Sequence, residues 1–167
     1  MTQEALEHRV RGLCCYLDNR SVNVNAPPHR VWNVIEKIGG RNGWYHANWL
    51  WDLRGYLDLM IGGVGLRRKP KSAEDAPLKR GDEIGFWRIM EIVPGSRLVL
   101  FAEMKLPGVA TFEFQIKALK NGTSELSQIA QFWPAGFFGK LYWYLVLPFH
   151  HYIFHGMVKK IGKIASL

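Results

Sequence analysis

From Glu83 to Trp133 apolar side chains recur at every second position, and three turn dipeptides cut this run into four segments. Ile84–Val93, Arg97–Lys105, Val109–Leu119 and Ser124–Trp133 are predicted strands, joined at Pro94-Gly95, Pro107-Gly108 and Asn121-Gly122. Strands joined by such short turns pair antiparallel with their chain neighbours. The period then lengthens, and Phe138 to Ala165 reads as one long helix. Leu141, Leu145, Phe149, Tyr152 and Gly156, continued by Ile161 and Ile164, form its expected buried stripe. Pro148 has no N–H and clashes with the carbonyl of Tyr144, which predicts a kink. Strands followed by a long helix place the chain in the α+β class.

The turns also suggest a register. If every loop holds an even number of residues, Met90, Phe101, Phe114 and Ile129 align on the inner face, with Ile92, Val99, Ile116 and Ser127 as the next row. Pairing Val93 with Leu98 sets Arg88 opposite Glu103, and pairing Leu106 with Val109 sets Glu103 opposite Phe112. Gln131 completes that row, with Phe86, Lys105, Ala110 and Trp133 beside it. Opposite charges on neighbouring strands attract, and their burial is costly unless the geometry is good. Arg88 and Glu103 are therefore either a structural pair closing one end of the sheet or polar anchors for a ligand head group.

Before the strands, Leu6, Val10, Leu13, Cys14 and Leu17 predict a short amphipathic helix, an N-terminal extension over residues 1–19 ahead of a main domain over 20–167. Arg20 to Val24 alternates like an edge strand. Asn25 with Pro27 and Pro28 starts a helix whose buried stripe is Val31, Val34, Ile35 and Ile38, ended by Gly39-Gly40. Between Gly43 and Pro70 three tryptophans (Trp44, Trp49, Trp51) and two tyrosines stand near Arg54, Arg67 and Arg68, with glycines at 62, 63 and 65. Trp49, Leu53, Tyr56, Leu57 and Met60 share one helical face there, and Arg54 is spaced to pair with Asp58. Large aromatics beside fixed cations suit a site for a bulky, partly apolar ligand. Residues 62–82 read as a long loop.

At 167 residues the chain suits one domain with a proper core. Cys14 and Cys15 are adjacent, which excludes a disulfide framework. The first residues carry mixed charges and no apolar signal region, and the longest apolar run, Leu141 to Phe149, is far short of the roughly 20 residues needed to span a bilayer. A cytoplasmic protein is expected. The net charge of +8 is distributed in short clusters, Arg67-Arg68-Lys69 with Lys71 and Lys159-Lys160 with Lys163, without a recognition helix or zinc-finger pattern beside them; no nucleic-acid partner is expected.

The wording of four segments adds a resemblance. GWYHANWLWDLRGYLDLMIGGVGLRR, GDEIGFWRIMEI, AEMKLPG and LYWYLVLPFHHYIFHGM are similar to a domain-of-unknown-function family whose members often sit behind an NAD(P)-binding, epimerase-like domain. The order of elements resembles the START-like helix-grip superfamily (SRPBCC). The resemblance covers about residues 20–165 and implies a curved antiparallel sheet wrapped around the C-terminal helix, an internal apolar cavity and an NAD(P)-binding partner protein. Gly63-Val64-Gly65 is not itself a dinucleotide fingerprint, because Arg68 stands where the third glycine belongs.

His151 and His155 are one helical turn apart, but Tyr152 occupies the position where a zincin has its glutamate, so no metal is expected. No cofactor is expected either. The leading expectation is a module that holds an apolar or amphipathic small molecule. Its walls would be Trp44, Trp49, Phe101, Phe112, Phe114, Trp133 and Tyr144, and its polar contacts Arg54, Arg88, Glu103 and Gln131. The alternatives are a cyclase or dehydratase with Glu103 as acid or base, and a protein that collects lipid at a membrane surface through the aromatic helix and Lys159, Lys160 and Lys163.

Overall fold

The computed structural model describes residues 15–39, 42–65 and 77–167, together with Glu4 and Leu6. Its elements are β1 (Tyr16–Val24), α1 (Pro28–Ile35), α2 (Asn48–Met60), β2 (Glu83–Ile84), β3 (Trp87–Val93), β4 (Arg97–Ala102), β5 (Gly108–Ala118), β6 (Ser124–Pro134) and α3 (Gly136–Ala165). The strands form one antiparallel sheet in the order β1-β6-β5-β4-β3-β2. The first strand thus pairs along its whole length with the last, and α3 lies across the face so formed. This is the expected α+β arrangement.

Both faces of the sheet are apolar, to unequal extents. Leu98, Leu100, Phe112, Phe114, Leu126 and Ala130 pack beneath Phe154, Met157 and Ile161 of α3 and Val31 and Ile35 of α1, forming the main core. The opposite, outer face carries a smaller cluster of Met90, Val99, Phe101 and Val109, covered by Leu6 and flanked by Trp133. Glu4 and Leu6 are helical, whereas the other residues of the expected N-terminal stripe up to Cys14 lie outside the described residues. Tyr16 already begins β1, so the helical extension does not reach residue 19, and Leu17 is an exposed strand residue.

The register differs from the even-loop expectation. Val93 pairs with Arg97 across Pro94, Gly95 and Ser96; Ala118 pairs with Ser124 across residues 119–123; Phe101 pairs with Thr111 across residues 102–110. An odd number of residues separates each pair. Gly95 has φ +81 and the N–H of Ser96 donates to the carbonyl of Val93, as suits a Pro-Gly type II turn. A break in pairing between Ile89 and Glu91 leaves Met90 as an extra residue. Because side chains alternate, each odd slip moves a whole strand's pattern to the other face. Phe112 therefore sits opposite Leu100 and Ala130, not Glu103 and Gln131. Phe112, Phe114 and Ile116 keep the inner face, while Met90, Val99, Phe101, Ser127, Ile129, Gln131 and Trp133 fall on the outer one.

The helices correct two further expectations. In α3 the buried residues are Gly139, Trp143, Ile153, Phe154, Met157, Val158, Ile161, Gly162 and Ala165, whereas Leu141, Leu145, Phe149 and Tyr152 of the expected stripe are exposed. The first half of α3 is apolar all round, so periodicity there cannot mark which side is covered. The helix runs unbroken through Pro148, which is exposed. In α2 the expected apolar face is likewise outward: Trp49, Leu53, Tyr56, Leu57 and Met60 are exposed, and Leu50, Trp51, Gly55 and Asp58 are buried. Among the described residues no helix is long and apolar enough to cross a membrane.

Candidate functional site

A cavity of about 290 Å³ lies between α2, α3 and the sheet. Its floor forms where the inner face is built from small residues. Ala110 and Ala130 line it, and each is paired across the ladder with a phenylalanine, Phe132 and Phe112 respectively. Interiors are otherwise close-packed, so alanines at these positions leave space the neighbouring rings do not fill. Phe86, Trp87, Met104 and Leu106 form one side; Trp143, His150, Ile153 and Phe154 come from α3, and Leu50, Trp51, Leu53, Arg54 and Leu57 from α2.

An aromatic shell holds these walls. Trp44 stacks on Trp51 at 4.6 Å between ring centroids, and Phe112 stacks on Phe154 at 5.0 Å and lies 5.7 Å from Trp87. Offset ring contacts of this kind fix side-chain orientation beyond what area burial alone achieves. The entry to α2 is equally constrained. Ala47 and Tyr45 have positive φ, Asn48 Oδ1 accepts from the backbone N–H of Trp44 at 2.9 Å, and the Tyr45 hydroxyl donates to the carbonyl of Val34 at 2.8 Å. Burial pushes the Tyr45 phenol up to about 12. His46 sits directly over Gly156 of α3, where any Cβ would lie 2.1 Å from its ring.

At the other end of α2, Asp58 is fully buried. It does not pair with Arg54. Its carboxylate accepts from the backbone N–H of Lys105 at 2.7 Å and from that of Gly65 at 3.0 Å. The Gly62–Gly65 turn thus folds back over a buried anion, and a Cβ at Gly63 would come within 2.2 Å of that carboxylate. This arrangement frees Arg54 to face the cavity rim. One Nη of Arg54 donates to the carbonyl of Lys105 at 3.3 Å, its guanidinium stands 6.0 Å from the Tyr142 ring, and its buried Nε has no partner. Lys105 Nζ donates to the carbonyl of Ile61 at 2.8 Å, so a second cation stands close to the same end of α2.

The interior is otherwise neutral. Among the described residues the lining contains no aspartate or glutamate. His150 is wedged edge-on between Trp143 (5.2 Å) and Phe154 (4.9 Å), and its Nδ1 has no hydrogen-bond partner. Burial lowers the imidazole to about 4, the nearby charges of Asp18 and Arg20 acting in opposite directions. The indole N–H groups of Trp51 and Trp87 are also buried without partners.

Of the residues singled out from the sequence, Arg54 and Gln131 border the cavity. Gln131 does so from a position between Ala130 and Phe132, while its side-chain oxygen accepts from Thr111 Oγ1 at 3.3 Å on the outer face. Trp44, Phe112 and Phe114 are core residues behind the walls, and Trp49 and Tyr144 are exposed. Phe101 and Trp133 belong to the outer cluster. Arg88 and Glu103 do meet, through Arg88 Nε and Glu103 Oε1 at 2.5 Å, but on the outer face, where Arg88 stands opposite Phe101 and also binds Glu83 and the carbonyl of Gly81. Glu103 is therefore no acid or base for the cavity. Arg67 and Arg68 lie outside the described residues. Trp87, Trp143, His150 and Phe154 were not among the walls expected from the sequence, and Trp51 stood out only as part of the aromatic stretch after Gly43. Trp143, His150 and Phe154 fall at helical spacings of seven and four, a signal hidden by the competing stripe through Leu141.

Residues 12–157 match the model of a family described as protein of unknown function, DUF2867. No curated protein matches the chain. Among solved structures, norcoclaurine synthase from Thalictrum flavum is similar at a TM-score of 0.55 and 9% identity, covering 94% of this chain and 90% of that one. Its complex with dopamine and hydroxybenzaldehyde gives 0.54 at the same identity and coverage. The di-domain ARO/CYC BexL from the BE-7585A biosynthetic pathway gives 0.52 at 12% identity, covering 91% of this chain and 47% of that one. At such identities the likeness concerns the fold alone, an antiparallel sheet with a long C-terminal helix in the helix-grip arrangement.

Proposed function

The chain belongs to the DUF2867 family of proteins of unknown function, and we propose that it binds an apolar or amphipathic small molecule in the cavity between α2, α3 and the sheet. The observation that carries this reading is the hollow itself: about 290 Å³ lined largely by aromatic and aliphatic side chains, with no carboxylate in the lining among the described residues. That size lies near the lower end of small-molecule sites. Each methylene buried there contributes roughly 0.8 kcal/mol. The norcoclaurine synthase complex supports the reading, as a fold-mate crystallised with small aromatic compounds. Native mass spectrometry of the protein from its own source is expected to show a bound mass, absent from Ala130→Leu, which fills the floor. A bare mass for the natural protein, or an adduct that Ala130→Leu retains, rejects the site.

The rim favours one extension of this reading. Leu53, Leu57 and Phe149 line the cavity and are also exposed, and they continue into Trp49, Tyr56 and Met60 on α2 and Leu141, Tyr144 and Leu145 on α3. Exposed apolar patches of this kind mark interaction surfaces, and tryptophan and tyrosine favour the membrane–water interface. With a net charge of +8, transient contact with an anionic bilayer would let an apolar ligand enter without crossing water. Flotation with anionic vesicles at low salt, lost for Leu57→Asp with Leu145→Asp, is the expected result; recovery of the protein in the unbound fraction at every salt refutes it.

A further inference from the structure

We infer that the cavity is selective for a singly charged amphipathic anion, a carboxylate on an aromatic or aliphatic body, with its head group held by Arg54 at the rim. The inference rests on the cavity being a ligand site, and adds which ligand class it takes. Three observations carry it. First, among the described residues Arg54 is the one lining residue that bears a charge at neutral pH, since His150 is held neutral and no acid lines the cavity there. Second, the carboxylate placed one turn along α2 to neutralise it, Asp58, is fully committed to the backbone of Gly65 and Lys105. Third, an arginine has five N–H donors, and among the described residues Arg54 makes a single hydrogen bond, to the carbonyl of Lys105. A cation fixed against low-dielectric walls and lacking a counter-charge raises the local concentration of anions. The planar guanidinium fork matches a carboxylate in two parallel hydrogen bonds. Lys105, whose carbonyl takes Arg54 and whose ammonium is bonded at the end of α2, adds positive potential at the same rim. A cationic or zwitterionic ligand would meet no acid among the described lining residues, and a neutral one would leave the guanidinium without a counter-charge.

The test uses two probes of one shape, naphthalene-2-carboxylate and 2-naphthalenemethanol, titrated into the full-length protein by calorimetry at neutral pH. The carboxylate is expected to bind about tenfold tighter than the alcohol, a difference of about 1.4 kcal/mol. Arg54→Gln should weaken the carboxylate about tenfold more than the alcohol and so abolish that preference, and Arg54→Lys should retain part of it. In the natural protein, added salt should weaken only the carboxylate, a readout that holds even where a variant folds poorly. Equal binding of the two probes, or a preference that survives Arg54→Gln, overturns the inference while leaving the cavity reading intact. Failure of both probes to bind overturns both.

Discussion

Acidification should destabilise this protein through His150. Its imidazole is packed between Trp143 and Phe154, and burial lowers it from the ordinary 6.5 to about 4. Above the ordinary value the ring is neutral in both folded and unfolded chains, and the stability is fully present. As the pH falls from 6.5 towards 4 the unfolded chain takes up a proton that the native chain refuses, so stability is lost across that window. Below about 4 both states are protonated and the loss stops growing. The full span corresponds to about 3 kcal/mol, a large part of the 5–15 kcal/mol typical of a domain. Asp18 and Arg20 act on the ring with opposite signs and leave burial as the dominant cause. The measurement is the free energy of urea unfolding between neutral pH and about pH 4, for the natural protein and for His150→Phe, which keeps an aromatic ring between the same neighbours. Other groups titrate in both proteins, so the difference between the two curves isolates His150. That difference should grow by about 3 kcal/mol in favour of the variant as the pH falls. Parallel curves would show that the ring protonates in place, and that the cavity wall is wetter than its contacts indicate.

Two other substitutions probe the end of α2 and the outer face of the sheet. Asp58→Asn turns an amide N–H₂ towards at least one of the backbone donors of Gly65 and Lys105; it should cost about 2–4 kcal/mol in urea unfolding, and a loss below about 1 kcal/mol would mean that the Gly62–Gly65 turn does not depend on this anion. Glu103→Ala should cost only about 1 kcal/mol or less, because the pair is partly exposed (Arg88 30%, Glu103 23%) and Arg88 retains Glu83 and the Gly81 carbonyl. It should leave naphthalene-2-carboxylate affinity unchanged, and weaker binding would place Glu103 nearer the cavity than the sheet register does.

The strands, their turns and the long final helix were legible because each depends on local pattern: period two, Pro-Gly and Asn-Gly, and a long apolar helical run. The faces were less so, because they depend on loop parity. One residue more or fewer at 94–96 or 119–123 exchanges inside for outside, and nothing in the composition of those loops fixes that number. The inner row of β5 was placed correctly, and the strands on either side slipped relative to it. The apolar outer cluster made the slip invisible, since Phe101 and Val99 are as good core residues as Leu98 and Leu100. For α2 and α3 the difficulty was opposite: an apolar stripe was plain at Trp49, Leu53 and Met60 and again at Leu141, Leu145 and Phe149, yet it faces outward. Of the cavity's polar features, Arg54 was legible from its aromatic neighbourhood. The commitment of Asp58 to Gly65 and Lys105 was not, since residue 105 is brought to it only by the pairing of distant strands.

The exposed apolar stripes and the unpartnered polar atoms inside have a common cause. A helix over a solid core turns its apolar side inward, and its charges reach water. Here α2 places its fully buried carboxylate, a buried indole and a half-buried guanidinium on the inward side with Leu50, and Leu53, Tyr56, Leu57, Leu59 and Met60 on the outward one. On burial area alone the inverse orientation would be favoured, by roughly 25 cal/mol per Å² of apolar surface turned inward. What holds α2 the other way is a small set of specific contacts: Trp44 on Trp51, Asn48 on the N–H of Trp44, and Asp58 on two distant backbone donors. These anchors fix a helix whose natural burial side is left for something else to cover. The sheet floor at Ala110 and Ala130 repeats the pattern, with small side chains where phenylalanines stand next door. Both features reduce packing within the chain at one place, the space between α2, α3 and the sheet, and a ligand there would restore apolar contact that the chain itself does not make.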